Sequence, residues 1–171
     1  MSRLKDFLDQ KIVRRTEEGL LRKLTVASGL KDFSSNDYLG LARSEELFRQ
    51  IQQKTESLSS KFNGATGSRL LSGNSQYAEA VEKKVATIFK GEAALLFNSG
   101  YAANQATLAS IPQKGDTIFY DELAHACIKD GARLSLAVRH SFRHNDLNDL
   151  EKKIQRAKPG RIFVVVESIY S

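Results

Sequence analysis

The run LLFNSGYAANQA at residues 95–106 joins a short apolar segment, through Asn98, Ser99 and Gly100, to a segment of helical character. A helix beginning there presents unpaired backbone N–H groups at its positive end, and such an end can bind phosphate. Gly100 and Tyr101 are the residues whose backbone would face that anion. The run has neither the lysine of a P-loop nor the three glycines of a dinucleotide fingerprint. Alone, the pattern reads first as a plain strand-to-helix turn and second as a phosphate site without a nucleotide motif. His125, in DELAHACIKDG, falls just inside a predicted helix after a strand and by itself reads as a hydrogen-bonded structural histidine. Cys127 lies two residues on, but adjacency in sequence does not make a thiol–imidazole pair, and it reads as small buried filler. His140 and His144 flank Arg143 in a polar connection and read as surface residues. Glu167 ends a very apolar run; a carboxylate there needs a partner or a cleft, which favours a site role over a structural salt bridge.

The elements that must position these residues follow from periodicity. Apolar residues at three- and four-residue spacing within 3–24 predict an amphipathic helix. FSSNDYLGL at 33–41 is turn-rich. A helix over 44–58 is followed by NGATGSRLLSGNS at 63–75, whose three glycines would let the backbone approach a ligand closely. Residues 75–90 predict a helix, with Ser75 and Glu79 as its start signal. From there strands at 93–97, 117–120, 137–141 and 161–167, the last buried, alternate with helices ending near 110, over 123–136 and over 147–157. Such alternation predicts an α/β fold with a mainly parallel sheet.

The 171 residues are 41% hydrophobic and 27% charged, as expected of a folded domain with its own core rather than a disordered chain. No run of about 18 apolar residues and no apolar N-terminal segment behind a basic start is present, so a cytoplasmic protein without membrane association is expected. One cysteine and three spaced histidines supply neither an internal disulfide nor a zinc site, and no metal is expected. The net charge of +6 is spread along the chain, and there is no tryptophan, so nucleic-acid binding is not expected.

Six ordered motifs, FSSNDYLGL at 33–41, GSRLLSGNS at 67–75, LLFNSGYAANQA at 95–106, DELAHACI at 121–128, FRHND at 142–146 and VVVESIYS at 164–171, resemble the α-oxoamine synthases. These are fold-type I enzymes dependent on pyridoxal 5'-phosphate (PLP), and they condense an amino acid with an acyl thioester while losing CO2. The resemblance is greatest to the branch that joins L-alanine to pimeloyl-CoA or pimeloyl-carrier protein in biotin synthesis; branches using glycine or serine are the alternative. It implies that residues 1–45 form an N-terminal arm and loop, and 46–171 the first part of a large PLP-binding domain, in a homodimer. It further implies that the backbone at Gly100 and Tyr101 meets the cofactor phosphate. His125 stacks on the pyridine ring near the substrate, overturning its structural reading. By the same resemblance Ser171 contacts the cofactor, Glu167 is a pocket carboxylate, and Asn36 lies near the amino-acid carboxylate. Arg22 would meet the distal carboxylate of the pimeloyl chain. Ser68 stands where glycine-using relatives have threonine, leaving room for the methyl group of alanine.

The family's aspartate for the pyridinium nitrogen, its histidine near the ring hydroxyl and its cofactor-bearing lysine have no match in this sequence. The chain is therefore expected to be the first part of a longer enzyme, and inactive by itself. A non-catalytic module that keeps part of a cofactor pocket and binds a partner is the competing expectation.

Overall fold

A computed structural model describes residues 2–24, 29–59 and 63–170. The chain divides into two compact units, Met1–Asn63 and Gly64–Ser171. In the first, α1 (Ser2–Glu17) is shorter than the predicted helix. It stops because Gly19 adopts φ 66°, donating to Thr16 O while Leu20 N–H reaches back to Arg15 O, a left-handed C-terminal cap that glycine adopts without a Cβ penalty. The turn-rich stretch is held by two carboxylates: Asp32 accepts from Ser34 and Ser35 N–H and pairs with Arg43, and Asp37 accepts from Ala42 N–H. These backbone donors, Ser34 first, hold the Asp32 carboxyl below its ordinary range. Helix α2 (Glu45–Glu56) is capped by Ser44, whose hydroxyl accepts from Leu47 N–H.

The second unit begins with the glycine loop. Gly73 passes so close to Gly67 that a Cβ on it would stand 1.9 Å from the Gly67 carbonyl oxygen, so only glycine fits. Arg69 spans this loop, donating to Asn74 Oδ1 and making a two-pronged pair with Glu82 on α3 (Gln76–Ile88). Ser75 and Ser99 cap α3 and α4 (Gly100–Ser110) through Ala78 and Ala102 N–H, where the sequence places the helix starts. Strands β1 (Thr117–Asp121), β2 (Val138–Phe142) and β3 (Ile162–Val165) form a parallel sheet in the order β2-β1-β3, connected by α5 (Ala126–Leu134) and α6 (Leu147–Gln155). The central strand is the buried one, with Ile118 and Phe119 at the core. Asp116 ties its start to that of β3, since Arg161 donates to both carboxylate oxygens from its side chain and to one from its backbone.

Helices α4 and α5 pack closely because Gly131 allows it: a Cβ there would lie 3.0 Å from Gln105 Cα and Leu108 Cβ. Leu108, Ala124, Cys127 and Ile128 form one buried cluster, and Ile118, Ala132 and Ala137 another.

Several expectations are corrected. Residues 93–97 form no strand; Leu96 N–H donates to the Glu82 carboxylate rather than to a sheet neighbour. The last strand is shorter than predicted and not buried, with Ile162 and Val164 open to solvent on one face. The buried core is also smaller than the composition suggests: many large apolar residues, Leu70 and Leu71 among them, are exposed. Among the described residues no helix is long and apolar enough to cross a membrane.

Candidate functional site

The carboxyl ends of β1 and β3 carry the candidate site. From β1 the chain runs to β2 on one side, while β3 pairs on the other, and in open α/β sheets a reversal of strand order opens a crevice beyond the strand ends. His125 follows β1 and Glu167 follows β3. They are joined directly: His125 N–H donates to Glu167 Oε2 at 2.7 Å. The Glu167 N–H in turn donates to the Tyr170 phenol oxygen at 3.1 Å.

His125 is not inside α5, as the sequence suggests, but is its N-cap, with Nδ1 accepting from Cys127 N–H at 3.2 Å. Histidine is an uncommon cap, so the reading from Ser, Thr, Asp and Asn signals passes over it. Its ring meets Tyr101, in the first turn of α4, edge to face at 6.1 Å between centroids. The Tyr101 hydroxyl bonds the Asp130 carboxylate, which raises the phenol's pKa above its ordinary value, and burial adds to the effect. Gly100 opens α4 as an exposed residue with no heavy atom within 4 Å of where a Cβ would stand, so its Cα faces open space, while the Ala102 N–H is taken up by the Ser99 cap. The structure thus brings Gly100, Tyr101, His125 and Glu167 to one end of the sheet. A cavity of about 210 Å³ lies beside them, lined by Asn104, Leu108, Ile128, Val165 and Glu167, among others.

Ser68 accepts backbone bonds from Leu71, Ser72 and Gly73 and keeps to its own loop. Arg22 and Asn36 are exposed residues of the first unit. Ser171 lies outside the described residues.

Sequence reasoning missed two contacts. Cys127 is buried, as expected, yet its Sγ lies 3.0 Å from His125 Nδ1. His144 is no simple surface residue: Nδ1 lies 3.0 Å from both oxygens of buried Asp121, and its ring meets Tyr170 edge to face at 4.7 Å. Burial opposes ionisation of Asp121, but bonds from Leu123 and Asn145 N–H and from His144 outweigh it and hold the carboxyl below its usual range. The His125–Cys127 contact had a signal in the i, i+2 spacing; the Asp121–His144 contact, between residues far apart in sequence, had none.

Among curated relatives, the putative 8-amino-7-oxononanoate synthase of Bacillus licheniformis is 41% identical over 99% of this chain and 44% of its own length. 8-Amino-7-oxononanoate synthase 2 of Bacillus subtilis is 38% identical over 99% and 46%. The chain spans less than half the length of these relatives. Many solved structures share its fold. Sphingomonas wittichii serine palmitoyltransferase has a TM-score of 0.69 at 34% identity, over 79% of this chain and 33% of that one. The 8-amino-7-oxononanoate synthase of Francisella tularensis has a TM-score of 0.62 at 26% identity, over 84% and 38%. The expected fold-type I transferase architecture is borne out. The family model for aminotransferase class I and II matches residues 29–171, and the chain belongs to that family.

Proposed function

We propose that this chain is the first part of a PLP-dependent C-acyltransferase that joins L-alanine to pimeloyl-CoA or pimeloyl-carrier protein, giving 8-amino-7-oxononanoate, CO2 and free thiol. The observation that carries this reading is the His125–Glu167 bond across the strand ends, near the uncrowded start of α4 at Gly100. The donor set there fits the phosphate and one ring face of PLP. Gly100 and Tyr101 N–H groups would bind the phosphate, assisted by the helix dipole. His125 would cover the ring face, Glu167 would hold His125 in place through its backbone, and Ser171 would contact the cofactor. When bound, PLP supplies an electron sink for negative charge developing beside the amino nitrogen.

In the same reading Asn36 binds the amino-acid carboxylate, Arg22 the distal carboxylate of the pimeloyl chain, and Ser68 leaves room for the alanine methyl. The division into an arm, 1–45, and the first part of a PLP-binding domain, 46–171, belongs to this reading, as do a cytoplasmic homodimer and a 171-residue chain inactive by itself. The names of the curated relatives support the choice of alanine and a pimeloyl thioester. The likeness to serine palmitoyltransferase favours a second reading, a branch using serine or glycine, glycine C-acetyltransferase included.

The test offers the whole protein, with PLP, L-alanine, glycine and L-serine against pimeloyl-, acetyl- and palmitoyl-CoA. Fastest CO2 release with alanine and pimeloyl-CoA supports the first reading, and preference for serine or glycine the second. No release with any pair favours a non-catalytic partner-binding module.

A further inference from the structure

We propose that Cys127 and Asn104 are positioning residues that hold His125 as its Nε2–H tautomer. Two donors converge on the His125 Nδ1 side. Cys127 N–H donates to Nδ1 at 3.2 Å, and Cys127 Sγ lies 3.0 Å from the same nitrogen. The Asn104 side-chain amide nitrogen lies 3.2 Å from that sulfur. An amide NH2 can only donate, so the sulfur accepts from Asn104 and turns its own S–H toward Nδ1. The chain of donation runs from Asn104 to Cys127 to His125; the Cys127 N–H bond requires Nδ1 to present a lone pair, and the thiol hydrogen is directed at the same lone pair. A proton on Nδ1 would face the Cys127 N–H, remove the cap of α5 and leave the thiol hydrogen without its acceptor. Cys127 is 2% exposed, so water does not readily replace the lost partner.

The neutral ring therefore carries its proton on Nε2, the nitrogen directed away from the start of α5. His125 is a fixed hydrogen-bond donor on that side, whichever amino acid the site accepts. This assignment rests on the protein atoms around the ring and is independent of the substrate reading.

Nitrogen NMR of protein labelled with 15N-histidine tests it, at a pH where the ring is neutral, with the His125 signals assigned by their loss in His125→Gln. The expected result is an unprotonated Nδ1 and a protonated Nε2, with the Nε2–H form in roughly tenfold excess or more. The excess falls severalfold in Cys127→Ala and Asn104→Leu, and returns in Cys127→Ser, whose hydroxyl also donates. A proton on Nδ1 in the unmodified protein overturns the proposal, as does an unchanged tautomer ratio in Cys127→Ala.

Discussion

His125 N–H donates to Glu167 Oε2 at 2.7 Å, so the residue that ends the β1–α5 connection is anchored to a residue that follows β3, 42 positions away in sequence. The bond crosses the open end of the sheet and fixes the loop that carries the His125 ring. Glu167→Ala is expected to lower stability by about 1–2 kcal/mol, in line with loss of a charge-assisted bond, and to cut kcat in the whole protein. Glu167→Gln keeps an accepting oxygen and should retain most of both. Denaturant titration and steady-state kinetics of the two variants check this; equal losses in both would point to the charge rather than the anchor.

Ser68 is expected to set amino-acid preference. In the whole protein, Ser68→Thr adds one methyl group where the alanine side chain is proposed to lie, and one methyl is worth about 1–3 kcal/mol in such a pocket. The ratio of kcat/KM for alanine to that for glycine should fall roughly tenfold. An unchanged ratio would remove Ser68 from the specificity reading.

The Arg69–Glu82 pair predicts an acid-sensitive loop. Arg69, with help from Leu96 N–H, lowers the Glu82 carboxyl from 4.5 to about 2. A carboxyl whose folded value lies below its unfolded value stabilises the fold fully above 4.5, and that contribution is lost as pH falls toward about 2. Carboxyl-carbon NMR should show Glu82 titrating near 2. Glu82→Gln should flatten the stability loss over this acid range. A midpoint near 4.5 would show the pair to be ineffective.

Gly73→Ala would place a methyl 1.9 Å from the Gly67 carbonyl oxygen and force the glycine loop open. The expected cost is about 2 kcal/mol or more. At Gly64, where nothing lies within 4 Å, alanine should change stability by less than about 0.5 kcal/mol. Thermal unfolding of the two variants makes the comparison.

Local rules carried much of the fold. Ser44, Ser75 and Ser99 mark their helix starts because a cap bonds within three residues, and the strand–helix alternation after residue 117 needs only periodicity. What depends on partners elsewhere in the chain was not legible. Residues 93–97 have the composition of a strand but lack its neighbour, and the run at 161–167 does not say which face is covered. At the site, motif resemblance picked out Gly100, Tyr101, His125 and Glu167, but the bonds that unite them could not be read. The cap made by His125 and the partners of Tyr101 and Glu167 are set by how α4, α5 and β3 pack.

The central claim is that the start of α4 and the β1–α5 connection together hold PLP. Phosphorus NMR of the whole protein titrated with PLP tests it most directly, alongside His125→Ala and Gly100→Pro. The account predicts a shifted, saturable phosphate signal in the unmodified protein, binding weakened about tenfold or more in Gly100→Pro, which removes a phosphate-facing N–H, and weaker binding with His125→Ala. A phosphate signal that stays at its free position, or binding unchanged in both variants, would contradict it.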